Sequence, residues 1–143
     1  MLKRTLLTGF LSATFLVAAR AQSTVASSQK LHKIAIQMSD NDPAKWNLAL
    51  NNAKNVQDEL GAAHVEVEIV AFGPGIHMLK LDSAVNSRIG EATKAGIKVL
   101  ACENTMRNLK VSKDDIAPSV GYVPAGVVHL MRRQTEGWAY IRP

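Results

Sequence analysis

The sequence predicts a three-layer, doubly wound α/β fold built on a mostly parallel sheet of about five strands. Three observations carry this reading. Strand-type and helix-type segments alternate along the chain, the pattern of successive βαβ units. The strand-type segments are short and mostly apolar, as in sheets covered on both faces. The helices are bounded by capping residues and glycines, so the connections are short.

Residues 33–38 (KIAIQM) form the first strand, stopped by the polar turn Ser39-Asp40-Asn41-Asp42-Pro43. Asp42 before Pro43 is an N-cap followed by a residue suited to the first helical position. A helix follows to about Leu60, with Trp46, Ala49, Leu50, Ala53, Val56 and Leu60 on one stripe, and Gly61 closes it. Residues 65–72 (VEVEIVAF) alternate in their first half and are apolar in their second, as when a chain enters a covered sheet from its rim. The strand ends in a turn, Gly73-Pro74-Gly75. A second helix runs from about Ser83 to Ala95, and residues 97–102 (IKVLAC) are the third strand. A short helix through Leu109 comes next, then a capping box on a single turn at Ser112-Lys113-Asp114-Asp115. Residues 120–123 give a brief fourth strand, Pro124 opens a helix through about Glu136, and residues 138–141 end the fold as an edge strand. No repeat, linker or change of composition divides the chain, so one domain is expected over residues 32–143.

The chain has 143 residues, 47% hydrophobic and 20% charged, a globular composition. Its single cysteine rules out an internal disulfide framework and any multi-cysteine metal site within one chain. The net charge of +5 raises nucleic acid as a partner, but the N-terminus accounts for most of it. Lys3 and Arg4 precede an apolar run from Leu6 to Ala19 and then Ala19-Arg20-Ala21, the order of a secretory signal with an A-x-A cleavage site. The run is shorter than the roughly 20 residues of a membrane-spanning helix, so cleavage after Ala21 is expected and a stable membrane anchor is not. Removing residues 1–21 takes away Lys3, Arg4 and Arg20 of the 17 basic residues and none of the 12 acidic ones, leaving 122 residues at +2. A periplasmic or secreted domain with no basic run longer than Arg132-Arg133 is not expected to bind nucleic acid. Residues 22–31, rich in Ser and Thr, read as a disordered lead-in.

In such folds ligands bind beyond the carboxyl ends of the strands. Those ends carry Ser39 to Asn41, Gly73 to Gly75, Cys102 to Thr105 and Pro124 to Gly126. Cys102 is the reactive candidate, because a thiolate at a strand end directly before a helix is stabilised by the first helical amides. Its alternative reading is a small buried hydrophobe. Asn104 and Thr105 are candidate donors to the sulfur, and Ser39, Gly73 and Gly75 shape the crevice. The Gly73 loop lacks the nucleotide fingerprints, so no cofactor is expected. His77 reads as a proton carrier at the same crevice or as a structural residue, and His129 as structural. Arg132 and Arg133 sit in the last turn of their helix, where cations complement the carbonyl end. No metal-ligand spacing and no serine-nucleophile motif is present.

With Cys102 placed after the third strand, the chain resembles the DsrE/DsrF-like superfamily, in particular its small stand-alone branch. The resemblance is carried by residues 67–75 (VEIVAFGPG), residues 99–106 (VLACENTM), residues 123–127 (VPAGV) and residues 132–143 (RRQTEGWAYIRP). It implies a flavodoxin-like α/β arrangement and homo-oligomers, commonly homotrimers or homohexamers. Better-known relatives pass sulfur as a cysteine persulfide, and the matching position is Cys102. An exported chain departs from the cytoplasmic relatives that thiolate tRNA, so that role is not carried over. The resulting expectation is an exported sulfur carrier that takes sulfane sulfur from a donor protein or a small sulfur compound. The competing expectation is a non-catalytic oligomer that binds a small ligand and merely packs its cysteine. Self-association is also expected from Trp138, Tyr140 and Ile141, which place apolar surface on an edge strand.

Overall fold

A computed structural model describes residues 31–143. The expected signal peptide, and the lead-in up to residue 30, lie outside the described residues.

Five strands form one all-parallel sheet in the order β4-β3-β2-β1-β5. They are β1 (His32–Met38), β2 (Val65–Ala71), β3 (Lys98–Cys102), β4 (Gly121–Val123) and β5 (Ala139–Ile141). The chain steps outward in one direction from β1 to β4 and then returns across the sheet to place β5 on the other side of β1. Right-handed crossovers put the helices of the outward steps on one face and the helix of the return step on the other.

On the first face lie α1 (Pro43–Leu60), α2 (Asn86–Lys94) and α3 (Glu103–Leu109). Their buried residues, Trp46, Leu50, Ile89 and Met106 among them, join Ile34, Ile36, Met38, Val67, Ile69 and Val99 in the larger core. The second face is covered by α4 (Gly126–Thr135), where Leu130 packs with Ala35, Val70, Val123 and Trp138. Alternation along each strand divides the side chains between the two faces.

The local signals hold up where they depend on neighbours in sequence. Asp42 caps α1 by accepting from the Ala44 N–H at 2.8 Å, and Gly61 ends it at φ +85°. Ser112 and Asp115 form the capping box on the turn Lys113–Asp115. Four expectations are corrected. The Gly73 turn is a 3₁₀ helix running Gly73–Leu79, held in place because Ile76, Met78 and Leu79 are fully buried. Helix α2 starts at Asn86, since the Asn86 N–H bonds the Ser83 carbonyl at 3.0 Å and closes a turn there. Helix α4 starts at Gly126, because the Pro124 carbonyl is engaged by the Asn104 N–H at 3.1 Å. Trp138 offers no edge surface: it precedes β5 and is only 5% exposed, with Arg133 stacked 4.5 Å above its ring. Its indole Nε1 is buried without a partner. The exposed apolar groups on this side are Val127, Val128 and Met131 of α4 and Tyr140 of β5.

Candidate functional site

The winding reverses between β3 and β4. From β3 the chain turns to α3 on one face, and from β4 to α4 on the other, so the two connections part above the strand ends. Such a switch point is where open α/β sheets leave a crevice. Cys102 is the last residue of β3, paired with Val123 of β4.

The Cys102 side chain is directed to the α4 face, in step with Leu100 two residues earlier. There the Gly126 N–H, first in α4, donates to the sulfur at 3.2 Å. Position 126 is tight: a Cβ would stand 3.2 Å from Phe72 Cβ and 3.3 Å from Cys102 Cβ, so it would push its neighbours by a few tenths of an ångström. The Thr105 hydroxyl and the amides of Thr105 and Asn104 add to the groups that favour the thiolate. The Asn104 N–H is shared with the Pro124 carbonyl, whereas its side chain is exposed and bonded to Arg107. Burial pushes the Cys102 thiol up, but the Gly126, Thr105 and Asn104 donors outweigh it and hold the thiol below its ordinary value. A nearly enclosed sulfur with donors from two helices is a thiolate-stabilising arrangement.

Thr105 also faces away from the sulfur. Its Oγ1 accepts from the Gly73 N–H at 3.0 Å and forms part of the wall of an open cavity of about 310 Å³. The cavity is bounded by Asn41, Gly73, Pro74, His77, Thr105, Asn108 and Leu109. The structure therefore brings together Gly73, His77 and Thr105 of the expected residues, with Cys102 one side chain behind the wall. Gly75 and Ser39 do not reach the cavity. Gly75 is buried against the β1 exit, where a Cβ would sit 2.2 Å from the Met38 carbonyl oxygen, and the Ser39 hydroxyl accepts from Gln37 at 2.9 Å. Asn41, at the end of the first strand, is placed at the crevice by its position alone, whereas Asn108 escaped sequence reasoning.

A second polar cluster also escaped it. Glu68, in the middle of β2, is 1% exposed on the α4 face. Arg133 grips it through Nε and Nη2, both at 2.9 Å, and His129 Nε2 lies 2.7 Å from Oε2. Lys98 stands 3.6 Å away. Burial pushes the Glu68 carboxyl up, yet the Arg133 and His129 hydrogen bonds prevail and hold it below its ordinary value. Bonding to Glu68 in turn holds the Arg133 guanidinium above its own. The sequence signal was a carboxylate on the same strand face as Val70, with His129 and Arg133 four residues apart on one helix. Among the described residues, no three His, Cys, Asp or Glu side chains are grouped to hold a metal ion. No helix of the described residues is long and apolar enough to cross a membrane.

The model of the DsrE/DsrF-like family matches residues 32–143, the whole of this sheet and its helices. The chain belongs to that family. Among solved structures, this DsrE/DsrF-like chain is similar to a protein of unknown function from Methanobacterium thermoautotrophicum, at 36% identity over 78% of this chain and 99% of that one, with a TM-score of 0.75. A conserved protein of unknown function from Bacteroides thetaiotaomicron follows at 18% identity over 78% and 94% of the chains, TM-score 0.64. The ychN protein from E. coli matches at 12% identity over 78% and 99%, TM-score 0.63. The last two likenesses speak for the fold alone. No curated protein matches the chain.

Proposed function

We propose that this DsrE/DsrF-like protein is a sulfur carrier in which Cys102 accepts and passes on sulfane sulfur as a persulfide. The observation that carries this reading is the 3.2 Å hydrogen bond from the Gly126 N–H to the Cys102 sulfur. Together with the Thr105 donors it favours the thiolate, the form that attacks a persulfide or polysulfide. Family membership supports sulfur-relay ancestry in general terms. The charge pattern of residues 1–21 supports export to the periplasm or beyond, and the exposed Val127, Val128, Met131 and Tyr140 support a homotrimer or homohexamer.

One observation favours the second reading, a small-ligand-binding oligomer with a packed cysteine. Cys102 is only 5% exposed and does not itself line the cavity. Intact-mass spectrometry after polysulfide treatment separates the two. A carrier gains a sulfur adduct that reductant removes and that Cys102→Ala lacks. A wild type that stays unlabelled while a model thiol reacts rejects the carrier reading. Light scattering tests the oligomer, and a monomer at micromolar concentration rejects it.

A further inference from the structure

The cavity beside Cys102 also bears on what donates the sulfur, an inference that rests on the carrier reading. We propose that it binds a low-molecular-weight organic persulfide, an amino-acid or short-peptide thiol bearing one sulfane sulfur, and presents that sulfur to Cys102.

Size is the first argument. At about 310 Å³ the cavity falls at the lower end of the roughly 300–1,000 Å³ of organic-ligand pockets. A small inorganic anion such as thiosulfate fills the space of two or three waters, at about 30 Å³ each, and leaves most of the cavity wet.

Charge is the second. No Lys, Arg, Asp or Glu lines the cavity, and His77 is its one titratable wall residue. An inorganic dianion would enter without a counter-charge, at a desolvation cost. The groups that are present suit a peptide-like molecule. Asn41 and Asn108 carry amides that both donate and accept, as a peptide bond does, while Pro74 and Leu109 add apolar contact.

Position is the third. Thr105 belongs to the cavity wall and is also one of the groups that favour the Cys102 thiolate, so a ligand seated there is separated from the sulfur by that one side chain, which has to turn aside for the transfer. In the transfer the Cys102 thiolate attacks the terminal sulfur of R–S–SH. The S–S bond of the ligand breaks as the bond to Cys102 forms, the proton stays on the transferred sulfur, and the carrier leaves as R–S⁻ to be protonated by solvent. No outside oxidant or reductant is needed.

The test separates binding from chemistry. Full-length Cys102→Ala protein is titrated by NMR with S-methylglutathione, a peptide thioether that cannot transfer sulfur, and separately with thiosulfate. Saturable binding of S-methylglutathione is expected, with thiosulfate failing to displace it. Adding Asn108→Ala or Asn41→Ala, both exposed positions that leave the core intact, should weaken binding about five- to tenfold, the worth of one neutral hydrogen bond. No saturable binding, tighter binding of thiosulfate, or an affinity indifferent to both Asn substitutions overturns the proposal. Wild-type protein treated with inorganic polysulfide supplies the separate arm. Persulfide on Cys102 without S-methylglutathione binding rejects the ligand class and spares the carrier. Binding without any persulfide from either polysulfide or glutathione persulfide rejects the carrier reading, and the donor assignment with it.

Discussion

Replacing Glu68 with Gln should destabilise the domain by about 2–3 kcal/mol at neutral pH. The carboxylate is 1% exposed and receives two Arg133 hydrogen bonds at 2.9 Å and one from His129 at 2.7 Å. Removing one partner of a buried ion pair generally costs about 3–5 kcal/mol, because the other charge is left stranded. Arg133 is not wholly stranded: its side chain keeps 25% exposure, its bond to Glu136 at 2.8 Å and its place over Trp138. Gln also retains one carbonyl acceptor, so the cost falls below that range. Urea unfolding followed by circular dichroism measures it, and for a domain of this size it corresponds to a fall in Tm of roughly 10 °C. The pH dependence follows from the direction of the carboxyl shift. Glu68 is held below its ordinary value of 4.5, so its contribution is complete above that value and is lost as the pH falls through the lower, folded-state value. The gap between wild type and variant should therefore close in acid. A difference below about 0.5 kcal/mol, or one that stays constant through the acid range, refutes this account of the cluster.

Gly126→Ala should raise the Cys102 thiol pKa and slow its alkylation at neutral pH. The added Cβ, 3.2 Å from Phe72 Cβ, moves the start of α4 outward and lengthens the hydrogen bond to the sulfur; an unchanged pH–rate profile with iodoacetamide contradicts this. Thr105→Val removes both the donor to the sulfur and the acceptor of the Gly73 N–H, so it should shift the same profile upward and cost about 1–3 kcal/mol in denaturant unfolding. Gly75→Ala should cost more than about 3 kcal/mol or prevent folding, because its Cβ would meet backbone at 2.2 Å, and soluble protein with wild-type stability contradicts it. Asp42→Ala should cost about 1 kcal/mol through the lost cap on α1, with thiol reactivity unaffected.

Features governed by near neighbours were legible in the sequence. The Asp42-Pro43 cap, the Ser112 to Asp115 box and all five strands depend on residues within one turn or one strand, and they stand where expected, the strands to within one residue at each end. One misread boundary lies where a distant group intervenes, since Asn104 takes the Pro124 carbonyl and delays α4 to Gly126, and another where a local turn, closed by the Asn86 N–H on the Ser83 carbonyl, delays α2. Within the site, Cys102, Thr105, Gly73 and His77 could be named because the rule of strand ends places them. Asn41 falls under the same rule, but Asn108 becomes its neighbour only through the folding of two separate connections, and no spacing announces that. Glu68 is the clearest case. Its partners are 61 and 65 residues away, and only the return of the chain across the sheet lays α4 over β2.

That crossing gives α4 two attachments of different kinds. Its first residue touches the sulfur, and Arg133, seven positions and about 10 Å of helix further on, is riveted to the centre of the sheet. A helix pinned near both ends has little freedom to tilt, so the Arg133 clasp helps to hold the Gly126 N–H at the sulfur. The sulfur's donor and the sheet's buried ion pair thus share one helix, and the site is steadied by a clasp it never contacts.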